Sequence, residues 1–320
     1  MNQTMSTRQP LRMTPTVIMR TKNSAWVIRE SLKGLFSQDL QDFQLLVVDS
    51  GSTDGTLDIV REFPARIIEI EPDDYFPGDV LNRAVAETDS DLVVFQNSDT
   101  IPQRCDALRL LLEPLSDEDV QATFGRQIAR PEAWTWVKRD LNASFPESGP
   151  APDWISLALP FAAMRRSAWE RHPFYRDAWG SEDTEWGEWA RKNGLRIEYV
   201  PDAVVMHSHN YTLRQFYGRR FIEGEADAFI FRNHDTLPKL LSRIASSIGH
   251  DLVHYARHAD LLGIPMIPVR RFTSHWAYWK GHRHGEERIA SSNRDRLFGQ
   301  QTVLQRHDSA DRAEAAKISD

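Results

Sequence analysis

Residues 47–56 read Val47-Val48-Asp49-Ser50-Gly51-Ser52-Thr53-Asp54-Gly55-Thr56. The apolar run at residues 45–48 predicts a buried strand, and the Ser/Gly/Asp turn after it leads into a predicted helix at residues 56–62. Asp49, at the end of this strand, has two interpretations. It can accept a hydrogen bond from the imide N–H of uracil or thymine, or it can form an Asx-turn. Asp54, just before the helix, is most simply its N-cap.

Strands and helices alternate through the first hundred residues. Apolar runs at residues 17–19, 67–70 and 92–95 predict further strands, and the spacing of apolar residues predicts helices at 26–35 and 79–86. This alternation predicts an α/β fold, with a mostly parallel sheet flanked by helices on both faces. Ligands bind such sheets beyond the carboxyl ends of the strands, which is where Asp49 and Asp99 lie.

The pattern changes beyond residue 102. The sequence predicts a helix at 105–112, a strand at 123–128, an irregular Trp- and Pro-rich stretch at 131–152, a core segment at 155–164, a helix at 182–193, strand-like runs at 197–205 broken at Pro201, and helices at 212–231 and 237–262. We expect four parts in the chain: a flexible arm at 1–14, an α/β domain at 15–224, a helical C-terminal region at 225–290 and a disordered polar tail at 291–320.

Asp99 follows the predicted strand through Phe95-Gln96-Asn97-Ser98. This position carries it out of the sheet into the same crevice as Asp49. A divalent cation that bridges two phosphates needs only one or two protein carboxylates, so Asp99 is a candidate ligand. The alternative is a carboxylate that stabilises the turn before Ile101.

Two acidic residues begin the predicted helix at 182–193. Glu182 and Asp183 follow Gly180 and Ser181, and Ser181 is a candidate N-cap. The partial positive charge of a helix N-terminus favours an ionised carboxylate, which suits a general base. Alternatively, both acids only complement the helix dipole.

Two histidines follow an apolar strand near residue 206. If the segment is extended, His207 and His209 share one face. One can ligate a cation while the other orients it or contacts phosphate; alternatively, both are structural. The spacing is not a zinc signature, because cysteine ligands at matching spacing are missing.

Together these segments resemble the inverting family 2 glycosyltransferases of the GT-A fold, over roughly residues 16–224. Residues 47–56 match one of that family's most specific signatures, and Thr21-Lys22-Asn23 looks like its nucleotide-contacting entry loop. Three further segments are similar to a bacterial subgroup linked to rhamnosyl transfer and surface polysaccharide assembly: Phe76-Pro77-Gly78 with Leu81-Asn82-Arg83, Gly125-Arg126-Gln127, and His207-Ser208-His209-Asn210-Tyr211-Thr212.

The resemblance implies a GT-A, Rossmann-like domain with a helical C-terminal extension, and transfer with inversion from a dTDP-, UDP- or GDP-sugar to a glycan or lipid-linked acceptor. Asp183 would be the catalytic base with Glu182 beside it, and Asp99 would bind Mg²⁺ or Mn²⁺ with His207 and His209 as further candidate ligands. The donor-binding residues would be Thr21, Lys22, Asn23, Asp49, Gly51, Ser52, Gly78, Asn82, Asn97, Ser98 and Asp99.

Asn97 departs from the family pattern, because many relatives carry there the first acid of an Asp-x-Asp motif. This difference keeps open a non-catalytic nucleotide-sugar-binding protein of the same fold. A nucleotidyltransferase is a weaker alternative, because the first strand is not followed by a Gly-rich basic loop. A third alternative is an assembly protein whose C-terminal region binds membrane.

Composition narrows the class of protein. A net charge of -7 argues against a nucleic-acid partner, and the single cysteine, Cys105, excludes an internal disulfide and fits a reducing compartment. We expect the polar first fourteen residues not to act as a signal peptide, and the longest apolar runs fall short of the roughly 20 residues that cross a bilayer. We expect a cytoplasmic protein.

Residues 212–288 are basic and aromatic, and two interpretations stay open for them. They form a solvated helical surface, or they contact anionic lipid or a polyanionic acceptor, which would place the protein at the inner face of the membrane. Four tryptophans either stack on sugar rings or are buried: Trp134, Trp136, Trp154 and Trp179.

Overall fold

The computed structural model describes residues 14–257 and 263–291, and it contains one sheet with the strand order β3-β2-β1-β4-β7-β6-β8-β5. The predictions for the arm up to residue 13, for residues 258–262 and for the tail from residue 292 lie outside the described residues. The strands are β1 Thr16–Thr21, β2 Gln44–Asp49, β3 Arg66–Glu69, β4 Leu92–Gln96, β5 Ile101–Pro102, β6 Val120–Ile128, β7 Phe161–Arg165 and β8 Arg196–Met206.

The order of the strands creates a crevice between β1 and β4. β1 pairs in parallel with both β2 and β4, and β2 pairs in parallel with β3. The chain therefore moves from β1 to β3 in one direction and returns to β4 on the other side of β1, which opens a crevice at the carboxyl ends of these strands. The other half of the sheet is mixed, because β7 runs antiparallel to β4 and β6.

Helices cover both faces of the sheet. The helices are α1 Ile28–Phe36, α2 Thr56–Val60, α3 Pro77–Ala86, α4 Ala107–Leu112, α5 Thr135–Ser144, α6 Arg166–Arg171, α7 Glu182–Lys192, α8 Leu213–Phe231, α9 Leu237–Arg257 and α10 Met266–Ser291. Side chains of β1 alternate between two cores: Met19 packs in the cluster that contains Leu32 of α1, and Ile18 in the cluster that contains Leu81 of α3. The predicted α/β architecture is confirmed.

Several local predictions were wrong. The stretch 131–152, expected to be irregular, contains α5. β8 continues through Pro201, although its pairing with β6 jumps there from Val200 to Val204 in a bulge that accommodates the missing N–H. The N-cap of α2 is Gly55, and Asp54 instead accepts hydrogen bonds from Thr56 N at 3.1 Å and Ala25 N at 3.0 Å.

The last helices pack tightly on one another. An added Cβ on Gly224 of α8 would lie 2.1 Å from the carbonyl oxygen of Tyr278, and one on Gly281 of α10 would lie 1.9 Å from that of Phe221. The backbones of α8 and α10 therefore approach at these glycines. α8 also runs across the predicted domain boundary at residues 224 and 225.

Candidate functional site

One group of carboxylate and imidazole side chains lies at the crevice. Nε2 of His209 is 3.0 Å from Oδ2 of Asp99, and Nε2 of His207 is 3.6 Å from Oδ1. Within the described ranges this is the one set of three His, Cys, Asp or Glu residues whose ligand atoms all lie within 4.8 Å of one another. The structure thus brings together the three residues predicted to hold a cation.

Gln127 fixes the orientation of the His207 ring. Its Oε1 lies 2.7 Å from His207 Nδ1 and can only accept, so Nδ1 carries the proton and Nε2 faces Asp99. Burial, against the opposing charge of Asp99, lowers the pKa of His207 to about 4, so the ring is neutral at pH 7. A neutral imidazole held through its other nitrogen is the form that ligates metals.

Asp99 is ionised at this position. Burial alone would raise its pKa, but His207 and the hydrogen bond from His209 outweigh burial and hold the pKa well below its usual range. Because burial keeps His207 neutral at pH 7, the contact that stabilises the ionised Asp99 at that pH is the one with His209. One carboxylate and two imidazoles form a donor set that fits a divalent cation such as Mn²⁺, which accepts both oxygen and nitrogen ligands.

A buried arginine adjoins this cluster. Arg130 donates from Nη2 to the backbone oxygen of Asp99 at 2.7 Å, and its backbone N–H donates to Ser208 at 2.9 Å. Its guanidinium lies 5.1 Å from the ring centroid of Trp26, which is exposed. The sequence analysis did not single out Arg130; its place just after β6, at a strand end, is the one local signal.

The two acids at the start of α7 differ in their surroundings. Oε1 of Glu182 accepts a hydrogen bond from Nη1 of Arg20 at 2.7 Å, so this carboxylate is committed to an ion pair with β1. Asp183 accepts the backbone N–H of Thr184 at 2.8 Å and, at 3.4 Å, that of Leu159. Ser181 is the N-cap residue of α7, but its side chain makes no capping hydrogen bond.

Asp183 has the electrostatics of a base poised near neutral pH. Burial, and after it the neighbouring charge of Glu182, raises the pKa of Asp183 to about 6, against the opposing effects of the backbone N–H groups and Arg219. From the sequence alone, the helix N-terminus is predicted to favour the ionised carboxylate of Asp183. Burial outweighs that effect, yet the carboxylate is still ionised at pH 7 and holds a proton more readily than an exposed aspartate.

A short connection joins Asp183 to the cation cluster. The backbone N–H of Asn97, two residues before Asp99, donates to the carbonyl of Pro160 at 3.1 Å, and the preceding residue, Leu159, donates to Asp183. Residues 159–160 therefore contact both the turn that carries Asp99 and the start of α7. The candidate base and the candidate cation site lie along one wall of the crevice.

The loop after β2 has a rigid hydrogen-bonded form. Asp49 is fully buried and accepts the backbone N–H groups of Gly51 at 3.0 Å and Ser52 at 2.8 Å, which is the Asx-turn left open by the sequence. Gly51 has φ +80°, a conformation that favours glycine. Contact between Asp49 and a nucleobase stays a prediction.

The predicted entry loop contacts both neighbouring loops. The backbone N–H of Asn23 donates to Ser52 at 2.8 Å, and its side chain accepts from Thr53 at 3.0 Å. The hydroxyl groups of Ser24 and Ser98 lie 2.8 Å apart. The structure thus brings Asn23, Ser52 and Ser98, three of the predicted donor-binding residues, to the carboxyl ends of β1, β2 and β4, and their contact with a donor stays a prediction.

Gly78 and Asn82 lie on α3, where both have structural roles. The side chain of Asn82 donates to the carbonyl of Phe174 at 2.7 Å and accepts from Phe174 N and Trp169 Nε1, each at 2.9 Å. A Cβ on Gly78 would lie 2.1 Å from the carbonyl of Tyr175. Both residues hold α3 against residues 169–175, and their predicted donor contacts stay untested.

Arg219 of α8 completes the charged wall of the crevice. α8 begins directly after the His207–Tyr211 segment, and further along Ile222 packs with Trp179 and Phe76 next to the start of α7. The Arg219 side chain lies on α8 between its first residue and Ile222; it is 59% exposed and donates to Glu223 at 3.1 Å. Its positive charge acts on both Asp183 and His207 and helps to lower the pKa of each.

An aromatic groove adjoins the cation cluster. Tyr211 stacks on His209 with ring centroids 5.1 Å apart, and the groove beyond it has a volume of about 440 Å³. Its lining includes Trp134, Trp136, Tyr211, Phe216, Tyr255 and Arg270. Of the four tryptophans considered from the sequence, Trp134 and Trp154 are exposed, whereas Trp136 and Trp179 are buried. A larger cavity lies at the opposite ends of β1 and β2, away from these residues.

Comparison with known proteins identifies the family of this chain. The model of glycosyl transferase family 2 matches residues 16–180, more than half of the chain. The chain belongs to that family, as predicted.

Its relatives and structural neighbours agree with this assignment. The chain is 26% identical over 315 residues to the O-antigen chain rhamnosyltransferase WbaN of Salmonella anatum, a match that covers 85% of this chain and 98% of the relative. RfbN of Salmonella typhimurium, another O-antigen chain rhamnosyltransferase, is 25% identical over 313 residues, with 85% and 98% covered. The predicted likeness to the rhamnosyltransferase subgroup is confirmed.

Two solved structures share the fold. The mannosyltransferase PcManGT from Pyrobaculum calidifontis, in complex with GDP-Man and Mn²⁺, superposes with a TM-score of 0.60 at 20% identity and covers 86% of this chain and 87% of its own. TarS residues 1–349 of S. aureus, in complex with UDP, gives a TM-score of 0.52 at 18% identity, with 86% and 92% covered. These matches confirm the predicted GT-A fold. In the described residues we find no helix with the length and apolar character needed to span a membrane.

Proposed function

We propose that this protein transfers a sugar from a nucleoside-diphosphate donor to a hydroxyl group of a glycan or lipid-linked acceptor, with inversion at the anomeric carbon. The observation that carries the proposal is the pairing of Asp183, an aspartate with a raised pKa, with the Asp99 cluster along one wall of the crevice. Because its relatives are O-antigen rhamnosyltransferases, a rhamnosyl donor is the first to test.

The nucleotide would lie across the carboxyl ends of β1, β2 and β4. The loops that carry Asn23, Ser52 and Ser98 are bonded to one another, directly or through Ser24, and form a preorganised surface there. Asp99, His207 and His209 would hold Mg²⁺ or Mn²⁺, and the bound cation would neutralise charge on the donor diphosphate. Arg130 places a further positive charge beside the same position, and the charge of Arg219 also acts on His207.

Asp183 supplies the proton acceptor. The carboxylate removes the proton from the acceptor hydroxyl while the hydroxyl oxygen bonds to the anomeric carbon and the bond to the leaving phosphate breaks on the opposite face. Configuration at that carbon is therefore inverted. Glu182 does not compete for this role, because Arg20 holds its carboxylate, and its charge beside Asp183 keeps the proton affinity of the base high.

We infer that the acceptor lies along the aromatic groove. The groove begins at Tyr211, against the cation cluster, and is lined by Trp134 and Phe216, aromatic residues of the kind that bind the apolar faces of sugar rings. α5, which the sequence did not predict, forms one of its walls through Trp136.

The test is a panel experiment. Purified protein is titrated calorimetrically with dTDP-, UDP- and GDP-sugars, including a rhamnosyl donor, in the presence of Mn²⁺. It is then incubated with each bound donor and a membrane extract of lipid-linked glycans, and the release of nucleoside diphosphate is measured. Acceptor-dependent release supports the proposal. Binding without release from any donor would instead favour the non-catalytic nucleotide-sugar binder, and a lack of binding across the panel would contradict both.

A further inference from the structure

The two last helices leave a large apolar surface exposed. Among the large hydrophobic residues that are exposed in the described structure, Leu241 and Leu252 of α9 are 59% and 41% accessible, and Phe272 of α10 is 52% accessible. Phe272 also begins a row of rings along α10: it stacks on Trp276 with centroids 5.8 Å apart, and Trp276 lies tilted against Trp279 with centroids 5.2 Å apart.

Helical geometry places these residues on one side of a two-helix layer. α9 and α10 run antiparallel, because Arg271 Nε donates to Asp251 at 2.7 Å and Ser247 bonds to His275 at 2.7 Å. In each helix the residue after a contact residue is rotated by about 100° around the helix axis. Because the helices are antiparallel, this rotation leads to the same side of the layer in both, so Leu252 and Phe272 point the same way. Leu241 lies three turns before Leu252, and Trp276 one turn after Phe272. We call Leu241, Leu252, Phe272 and Trp276 the outer face.

The opposite side of the layer is already occupied. Arg270, just before Arg271, lies 5.4 Å from the ring centroid of Trp136 on α5, and Gly281 packs against the backbone of α8. The outer face therefore points away from the sheet and from the crevice. The contact between α8 and α10 fixes its orientation relative to the candidate site.

The charge around the outer face is positive although the whole chain carries -7. From Leu237 to Arg257 and from Met266 to Gly285 the one acidic residue is Asp251, which is buried in its ion pair with Arg271; Glu286 and Glu287 follow at the end of α10, where Glu286 bonds to His234. Lys280 and Arg283 are exposed beside the row of rings, and the Arg283 guanidinium lies 5.3 Å from the ring centroid of Trp279. Apolar and aromatic side chains bordered by basic ones fit the interface of an anionic bilayer.

We propose that the outer face of α9 and α10 docks on an anionic lipid surface and holds the crevice next to acceptors carried there. A second copy of this chain is a poorer occupant, because a symmetric contact would bring Lys280 and Arg283 of both copies together, and the one exposed acid beside them is Glu287, one turn beyond Arg283. The proposal goes beyond the transferase activity, and vesicle binding requires neither donor nor turnover. Its failure would thus leave the proposed function standing.

The experiment is co-sedimentation of the full chain with two kinds of vesicle, phosphatidylcholine alone and phosphatidylcholine with roughly one third phosphatidylglycerol. We expect binding to the anionic vesicles that weakens with salt. The double variant Leu252→Ser, Phe272→Ser should reduce the partition coefficient about tenfold or more, since two apolar side chains are lost. Trp154→Ser, which removes an aromatic ring that is 67% exposed elsewhere, is the matched control and should bind as the parent does.

A second pair of substitutions tests the charges. Lys280→Gln with Arg283→Gln should remove most of the preference for anionic vesicles and leave the weak binding to phosphatidylcholine unchanged. The proposal is overturned if the parent binds neither vesicle, or if the apolar double variant binds as well as the parent. It is also overturned if sedimentation velocity shows a dimer that the double variant dissociates while vesicles are not bound, which would make the outer face a contact between copies.

Discussion

Gln127 accepts a hydrogen bond from Nδ1 of His207 at 2.7 Å, and this bond leaves Nε2 of the same ring facing Asp99. A side chain at the end of β6 thus decides which nitrogen His207 offers to the cation site. The tautomer is fixed before any ligand arrives, so no reorientation of the ring is required on binding.

Removal of the Asp99 carboxylate should abolish the effect of metal on nucleotide binding. We expect Asp99→Asn to bind nucleoside diphosphate as weakly with Mn²⁺ as without it, because a cation held by this residue couples the two equilibria. Calorimetric titration with and without Mn²⁺ measures the increment. Asp119→Asn, at an exposed position before β6, should keep the full increment. An unchanged increment in Asp99→Asn would reduce Asp99 to a turn residue.

Turnover should depend on pH through Asp183. Its pKa is raised to about 6, so the carboxylate is ionised above that pH and protonated below it. A base is active only when ionised, and kcat should therefore fall about tenfold for each pH unit below about 6 and level off above it. The measurement is kcat at saturating donor from pH 5 to 8. A profile that is flat through pH 6 would argue against Asp183 as the titrating base.

Arg219 should affect both the chemical step and the pKa of the base. Arg219→Gln is expected to lower kcat by roughly a hundredfold if its guanidinium stabilises the leaving diphosphate. The acid limb of the pH profile should also move to higher pH, because the charge of Arg219 lowers the Asp183 pKa. Arg214→Gln, five residues earlier on α8 and exposed, is the control. Equal profiles for both variants would remove Arg219 from the site.

The close approach of α8 and α10 should appear in stability. Gly224→Ala would place a Cβ 2.1 Å from the backbone oxygen of Tyr278, and we expect a loss of about 1–3 kcal/mol in the free energy of unfolding from overpacking. Gly249→Ala on α9 meets no atom within 4 Å and should gain up to about 1 kcal/mol from helix propensity. Urea unfolding measures both. A neutral Gly224→Ala would mean that the helices separate easily at this point.

Local patterns predicted much of this molecule. The strand ends that carry Asp49 and Asp99 follow apolar runs, and the alternation of strands and helices places both at one edge of a sheet. The pairing of His207 with His209 was also readable, because alternate residues of an extended segment share a face.

Other features depend on distant partners and could not be read locally. Asn82 bonds to Phe174, 92 residues away, and the charge of Arg219 acts on Asp183 only because α8 packs beside the start of α7. The pKa of Asp183 is raised by burial and, after it, by the neighbouring charge of Glu182, and the dipeptide does not disclose the burial. Nor could the sequence distinguish the two arrangements of Asp49, because a strand-end aspartate suits both.

The most direct test of the central claim is turnover by Asp183→Asn with the donor and acceptor identified in the panel, in the presence of Mn²⁺. The substitution keeps the shape of the side chain and removes its capacity to take a proton. We predict that nucleotide affinity stays within a few-fold of the parent while kcat falls about a hundredfold or more, and that Glu185→Gln, which changes an acid bonded to His172 on the same helix, does not reproduce this loss. Turnover of Asp183→Asn within a few-fold of the parent would contradict the assignment of Asp183 as the base.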